Sequence, residues 1–132
     1  MHADEVRGWF DDYLRAFAAL GRGEQDDPRV LLAYYAVPLL LTSDEAVLAL
    51  ASEREVVEGI QRQIGGMRAA GYDHSERLSS EISILNARTA IYAAEFSRRR
   101  SDGTEIGRLA ATYLITAGEP GRRISALIVR TR

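Results

Sequence analysis

Glu95 is the carboxylate of this sequence that is best placed to do chemistry. It lies in an apolar stretch beside Phe96, and if this stretch forms a hairpin with the next one, Arg108 is its diagonal neighbour. One interpretation is an ion pair at the surface or at an interface. The other is an acid inside a cavity, where desolvation favours the protonated form and suits it to proton transfer. The sequence leaves both interpretations open.

His74 is the second candidate for acid–base chemistry, because a histidine side chain titrates near neutral pH. It follows Asp73 at the expected start of a strand, and His2 is the only other histidine in the chain. A general base and a solvated strand end both fit this position. Glu95 and His74 are therefore the candidate catalytic residues.

Aromatic residues form the candidate binding set. For any one of them, core packing is the simpler interpretation. Together they would suit a mostly apolar pocket that offers a few hydroxyl groups for polar contacts. The set is Trp9, Tyr13, Tyr35, Tyr92 and Tyr113.

Tyr34 and Tyr35 open the segment YYAVPLLLT, and we expect them at the end of a short helix. Successive side chains on a helix point about 100° apart, so the two cannot face one place equally. One should pack under the sheet, while the other lines the mouth of the cavity with Trp9 and Tyr13.

Composition disfavours several kinds of site. The 132 residues include no cysteine and only two histidines, so a disulfide, a thiolate or a transition-metal site is not expected. No glycine-rich phosphate loop follows a strand, and no Ser–His–Asp set is visible. We therefore expect no metal and no cofactor.

The charge distribution argues against a nucleic-acid partner. The net charge is −2, although all 17 basic residues are arginine, and a nucleic-acid binder usually needs a basic face. Three arginines are consecutive, Arg98–Arg100, but strand alternation divides them between two faces. With Asp102 and Glu105 nearby, this run is interpreted as a solvated hairpin tip.

Targeting signals are not apparent in the sequence. No run approaches the roughly 20 apolar residues of a membrane span. The first residues, MHADEVRGWF, lack the apolar core of a signal peptide. We therefore expect no membrane partner and a cytoplasmic location.

The first half of the chain is predicted to be mostly helical. Apolar residues at spacings of three and four predict a helix from Asp4 to Leu20. Asp27 and Pro28 begin a short helix that should end before Pro38. Two short strands are then expected, at residues 39–42 and 46–50.

The second half is predicted to be mainly strand. Ser52 and Glu55 form a capping pair for one more helix, which Gly71 should end. Alternating apolar residues and turn signals then predict four long strands. Because helices and strands are segregated along the chain, the fold class is α+β with an antiparallel sheet. The chain is expected to form a single domain over residues 1–132.

The segment SDGT predicts a hairpin and fixes its register. A two-residue turn at Asp102 and Gly103 places Arg100 opposite Glu105 and, further along, Tyr92 opposite Tyr113. One face would then carry Tyr92, Ala94, Phe96, Leu109, Ala111 and Tyr113. The other face would carry Ile91, Ala93, Glu95, Ser97, Arg108, Ala110, Thr112 and Leu114. Both faces are partly apolar, as expected if one lines a cavity and the other meets a partner subunit.

In this order, the elements resemble the nuclear transport factor 2-like superfamily and its SnoaL-like domains. The resemblance covers essentially the whole chain and rests on LGRGEQDDP, YYAVPLLLT, RRRSDGTEIGRLAATYLI and GEPGRRISAL. In the last segment Arg122 occupies the place where relatives often have a tryptophan. The resemblance implies a curved sheet wrapped around helices as a cone with an internal cavity, and a homodimer. The Asp of steroid isomerase-like members falls near Thr42 here, and threonine cannot replace that base.

The favoured function is the binding of a small apolar or aromatic molecule in the cone. One alternative is an isomerase, cyclase or dehydratase for a polyketide-like or steroid-like substrate, with Glu95 or His74 as base and Tyr13 or Tyr92 as hydrogen-bond donor. The other is a non-catalytic dimerisation module whose cone is filled by side chains. An enzyme needs a carboxylate or a histidine within reach of an open cavity, so a location of Glu95 outside the cone would remove its best candidate.

Overall fold

A computed structural model describes residues 1–132, which form two α-helices, a 3-10 helix and six strands. The helical segments are α1 (Ala3–Gly21), the 3-10 helix (Pro28–Ala33) and α2 (Glu53–Ala69). The strands are β1 (Tyr35–Thr42), β2 (Val47–Leu50), β3 (Tyr72–Asn86), β4 (Thr89–Arg100), β5 (Glu105–Gly118) and β6 (Gly121–Thr131). Neither α1 nor α2 contains an apolar stretch that could span a lipid bilayer.

The strands form one curved, unclosed sheet in the order β2-β1-β6-β5-β4-β3. Neighbouring strands are antiparallel except for β1 and β6, which run parallel. The helical segments pack against one face of this sheet. The predicted α+β class, with a curved sheet around helices, is confirmed.

The predicted helix boundaries near the tyrosine pair are wrong. The 3-10 helix ends at Ala33 with Tyr34 as its C-cap, and Tyr35 already belongs to β1, where it pairs with Ile124. Pro38 lies inside β1, but the register with β6 shifts between Tyr35 and Leu40. Proline has no N–H to donate, and this irregular segment needs none from it.

The predicted register of β4 and β5 is confirmed along most of the hairpin, including Tyr92 opposite Tyr113. The prediction at the tip is wrong, since Arg99 rather than Arg100 lies opposite Glu105. Three residues, Ser101–Gly103, lie between Arg100 and Thr104, which are joined by a backbone hydrogen bond. Gly103 has φ +87°, and a loop of this length combines a turn with a bulge. The extra loop residue and the bulge at Ile106 compensate each other, which restores the register from Arg98 onwards.

The core lies between the helices and the sheet. The face predicted from the hairpin register is buried: all six of its β4 and β5 residues are at most 9% exposed. They pack against Val6, Phe10, Tyr13, Phe17 and Leu20, which form the apolar stripe of α1. The helix-facing side of the sheet is therefore the side that can enclose a ligand.

Candidate functional site

Two adjoining spaces lie between α1 and the sheet. The inner cavity is bordered by Tyr13, Phe17, Phe96, Arg98 and Tyr113, among others. Its water-accessible volume is about 30 Å³, which is room for about two water molecules. The outer cleft measures about 390 Å³ in the same way and lies between α1 and β3. The two spaces share four lining residues: Leu14, Phe17, Ser75 and Phe96.

Regular periodicity positions the lining of the inner cavity. Tyr13 and Phe17 are four residues apart on α1, so they lie on the same face of the helix. Phe96 and Arg98 are two residues apart on β4, so their side chains leave the sheet on the same side. Leu109, directly opposite Phe96 on β5, completes the apolar wall.

Arg98 is a site residue that the sequence analysis missed. Its side chain is partly buried and lines the inner cavity, and its guanidinium carbon lies 5.9 Å from the centre of the Phe17 ring. The interpretation of residues 98–100 as a solvated tip is therefore wrong for its first member. The available signal was the alternation of Tyr92, Ala94 and Phe96, which continues to Arg98.

The tyrosine hydroxyl groups at the site are neutral. Those of Tyr13 and Tyr35 are 2.5 Å apart. Burial raises the pKa of Tyr13 far above its usual value, that of Tyr35 to about 12, and that of Tyr113 well above the ordinary range. These groups therefore remain protonated near neutral pH and supply no negative charge to Arg98.

Some of the predicted binding residues line the inner cavity, and others pack behind the residues that do. Tyr13 and Tyr113 line the inner cavity. Tyr92 is fully buried, stacks on Phe10 at 3.8 Å and accepts a hydrogen bond from Arg77 at 2.7 Å. Tyr35 does not line the inner cavity, but its hydroxyl group forms a hydrogen bond with that of Tyr13.

Trp9 is the fifth predicted binding residue and lies away from both spaces. It is partly buried and packs on Tyr34 with ring centres 5.6 Å apart. Neither ring lines the inner cavity or the outer cleft. The expectation that a tyrosine of this pair would line the mouth beside Trp9 is wrong, because Tyr35 enters β1 and Tyr34 packs on the tryptophan.

Glu95 lies on the other face of the sheet. Its side chain is 40% exposed and forms an ion pair with Arg132 at 2.6 Å. The sequence analysis named Arg108 as its neighbour, but Arg108 donates to Glu105 at 2.9 Å. Since alternation directs Glu95 away from the helices, it is not available as a base in the inner cavity.

His74 lines the outer cleft. Its Nδ1 lies 2.9 Å from an Asp73 carboxylate oxygen, and both side chains are 42% exposed. A predicted catalytic residue therefore meets the larger of the two spaces between α1 and the sheet, whereas Glu95 borders a separate space of about 260 Å³ with Ala93 and Thr112. No group of three or more His, Asp or Glu side chains is positioned to hold a metal ion.

The outer cleft is lined by arginine side chains that take part in ion pairs. Arg15, Arg22 and Arg77 line it against a single carboxylate, Asp11. Arg77 contacts Asp11 at 2.8 Å, while Arg22 pairs with Glu24, outside the lining, at 2.7 Å. Arg15 pairs with Asp12, so each of the three arginines in the lining already has a carboxylate partner.

Three solved structures illustrate the fold similarity. An NTF2-like protein with a cystatin-like fold from Novosphingobium aromaticivorans gives a TM-score of 0.72 at 13% identity, covering 97% of this chain and 80% of that one. Yeast UBP3-associated protein BRE5 gives 0.71 at 15% identity, covering 96% of each chain. An NTF2-like protein of unknown function from Shewanella oneidensis gives 0.66 at 16% identity, covering 92% and 95%. At these identities the similarity shows the fold alone.

Sequence comparison with protein families is more specific. Residues 4–132 match the family described as NTF2-like protein (DUF6841). No curated protein sequence matches. Because the family match spans nearly the whole chain, the protein belongs to this NTF2-like family.

Proposed function

We propose that this NTF2-like protein binds a small, mostly apolar or aromatic molecule in the inner cavity and the adjoining outer cleft. The observation that carries the proposal is the lining of the inner cavity, where eight of eleven residues are hydrophobic. The outer cleft supplies the volume, since about 390 Å³ falls within the range of small-molecule sites. A few polar groups at an apolar wall are typical of such sites.

A blocking substitution tests this proposal. Leu14 borders both spaces, so Leu14→Trp should fill them, whereas Val47→Trp adds the same ring at a site that is 73% exposed. Native mass spectrometry of the purified protein would detect a co-purified compound, and NMR titration with benzyl alcohol and 1-hexanol would detect binding directly. We expect binding to the wild type and to Val47→Trp and its loss in Leu14→Trp. Equal binding to all three proteins would contradict the proposal.

His74 is the observation that favours a catalytic alternative. With Nδ1 held by Asp73, Nε2 is left to exchange a proton with a molecule in the outer cleft. An isomerase, cyclase or dehydratase of the SnoaL-like kind would use it so, with Arg77 or a tyrosine hydroxyl polarising the substrate. Solvent deuterium incorporation into an enolisable cyclic ketone, such as 2-cyclohexenone, would reveal this activity. It should disappear in His74→Gln, and no incorporation by the wild type would count against the alternative.

The outward face of the sheet supports the proposal of a homodimer. Its central side chains on β4 and β5, including Ile91, Ala93, Thr112 and Leu114, are only partly exposed although the helices pack on the opposite face. Glu95 and Arg132 pair at the edge of this apolar patch. A two-fold arrangement brings such a patch against itself and allows charges of both signs to pair across it.

Sedimentation equilibrium tests the homodimer. We expect twice the 14.6 kDa mass of one chain. Ile91→Arg should give a monomer, because it places a charge in the proposed interface. Ile84→Arg is the matched control, since Ile84 is 41% exposed and pairs with the helix-facing Ala90. A monomeric wild type, or dissociation by Ile84→Arg alone, would contradict the proposed interface.

A further inference from the structure

Arg98 is the only ionisable group other than tyrosine among the eleven residues that line the inner cavity. The two arginines that follow it, Arg99 and Arg100, interact with other groups of the protein. Arg99 pairs with Glu76 at 3.2 Å, and Arg100 donates to the carbonyl oxygen of Ala70 at 3.0 Å. The guanidinium of Arg98 makes no hydrogen bond or ion pair with another side chain of the protein. It lies over the Phe17 ring in a cation–π contact.

Arg98 is partly buried and has no carboxylate partner within the protein, so its guanidinium is available to bind an anion. Removing a charged group from water is unfavourable unless a counter-charge accompanies it. The guanidinium presents its N–H groups as a planar fork that matches a carboxylate with two parallel hydrogen bonds. Leu109, Leu127 and Val129 line the cavity beside it, so a bound anion would be partly shielded from solvent.

The polar groups around Arg98 are also suited to an anion. Gln63 and Ser75 line the same cavity and can donate hydrogen bonds to an oxygen. Tyr113 remains a neutral hydroxyl because burial raises its pKa. No Asp or Glu lies in the lining, so an entering carboxylate meets no like charge.

Size and surroundings narrow the ligand further. The inner cavity admits a group of about two water volumes, which suits a carboxylate head and is too small for a multi-ring body. The shared wall of Leu14, Phe17 and Phe96 leads from there into the larger cleft, which can take a ring or a short chain.

We propose that the ligand is a small monocarboxylate with an aromatic ring or a short apolar chain, and that its carboxylate pairs with Arg98. This inference rests on the proposed function, because it names the chemical class of the molecule bound in the same site. It requires the ligand to carry a carboxylate group, whereas the apolar lining alone would accept many apolar molecules.

Paired probes separate the two proposals. Benzoate and hexanoate would be titrated into the protein beside their neutral counterparts, benzyl alcohol and 1-hexanol. Binding would be followed by calorimetry and by NMR shifts at the amides of Phe17, Phe96 and Leu109. We expect the carboxylates to bind about tenfold or more tightly than the alcohols, since a hydrogen bond to a charged group is stronger than a neutral one.

Three variants assign the effect to one side chain. Arg98→Met should weaken carboxylate binding by about tenfold or more and leave alcohol binding nearly unchanged. Arg98→Lys should retain part of the effect, because it keeps the charge and loses the fork. Arg99→Met is the matched control, since it removes an adjacent arginine that pairs with Glu76 outside the cavity, and it should bind like the wild type.

The outcomes distinguish the failure of each proposal. Equal binding of carboxylates and alcohols by the wild type would overturn the carboxylate inference and leave the proposed function standing. Carboxylate binding that Arg98→Met does not weaken would also overturn it. If neither class of probe shifts the cavity amides, both proposals fail. The comparison of probes on the wild type holds even if Arg98→Met does not fold.

Discussion

The two ends of the space beneath the sheet share helix α1 and strand β4 but are filled differently. At the closed end, Phe10 is fully buried, stacks on Tyr92 at 3.8 Å and meets the Tyr113 ring edge-on at 4.7 Å. At the open end, one and two helical turns further along α1, Leu14 and Ala18 face the outer cleft. The difference lies in how the rings pack. Phe10, Tyr92 and Tyr113 contact one another at the closed end, whereas the Phe17 and Phe96 rings border unfilled space at the open end.

This contrast separates the residues that hold the fold from those available for binding. Each aromatic ring removes roughly 150–250 Å² from water, so the closed end should contribute much of the stability. The open end has Leu14, Phe17 and Phe96 beside unfilled volume. Substitutions at the open end should therefore change ligand affinity more than the free energy of unfolding.

Truncation of Phe10 should have the largest effect. Phe10→Ala removes a fully buried ring that contacts Tyr13, Tyr92 and Tyr113 and should lower the free energy of unfolding by about 3–5 kcal/mol. Leu14→Ala is the control from the open end. It should cost less than about 1.5 kcal/mol, because Leu14 is only partly buried and already borders empty space. Urea denaturation of both variants measures the difference, and equal losses would refute the division into two ends.

Alkaline pH should act mainly through the buried tyrosines. Burial raises the pKa of Tyr35 to about 12 and raises those of Tyr13 and Tyr113 well above their ordinary value, while the unfolded values are near 10. Because the unfolded chain releases these protons first, their contribution is complete below pH 10 and is lost as the pH rises above it. Each such tyrosine lowers the free energy of unfolding by up to about 1.4 kcal/mol per pH unit.

Absorbance of tyrosinate, followed together with circular dichroism, would measure this effect. We expect ionisation of the buried tyrosines to coincide with alkaline unfolding. Tyr35→Phe should reduce the slope of stability against pH above 10. Complete ionisation of all six tyrosines near pH 10 in a protein that keeps its native spectrum would contradict the closed end as described.

The sequence predicted the architecture because its signals are local and periodic. The spacing of Phe10, Tyr13 and Phe17 fixed one face of α1, and the alternation on β4 and β5 fixed the buried face of the sheet. The register survived an error in the turn because the three-residue loop and the bulge at Ile106 offset each other. Such compensation depends on backbone details that composition does not specify.

The site was predicted less well because its key property is a missing contact. Arg98 follows from alternation, but the same pattern does not show that no carboxylate reaches it. The apolar neighbours of Glu95 in the sequence suggested a cavity acid, but its side chain forms an ion pair with Arg132, which is 37 residues away along the chain. Long-range pairings of this kind depend on how strands β5 and β6 meet, and one sequence does not give that.

Gly21 offers a smaller test of how α1 positions the open end. A Cβ atom at Gly21 would lie 2.7 Å from the Tyr72 ring and 2.8 Å from the terminal methyl of Met67, so both groups would have to move. Gly21→Ala should lower stability by about 1–3 kcal/mol through overpacking and should alter the outer cleft, which Tyr72 lines.

Gly8→Ala is the matched control on the same helix, because nothing lies within 4 Å of its Cβ position. It should raise stability by about 0.5–1 kcal/mol through helix propensity. The midpoints of urea denaturation give both values. Opposite signs are expected, and a neutral Gly21→Ala would mean that α1 is free to shift at the open end.

The smallest expected effect concerns the hydroxyl pair of Tyr13 and Tyr35. Tyr35→Phe leaves the buried Tyr13 hydroxyl without its partner and should cost about 1 kcal/mol. Tyr34→Phe is the control and should be nearly neutral, since the Tyr34 hydroxyl makes no hydrogen bond within the protein. The double variant Tyr13→Phe/Tyr35→Phe should cost less than the sum of the single variants, because no unpaired group remains. Strict additivity would mean that the two hydroxyl groups do not depend on each other, and that ring packing alone stabilises the closed end.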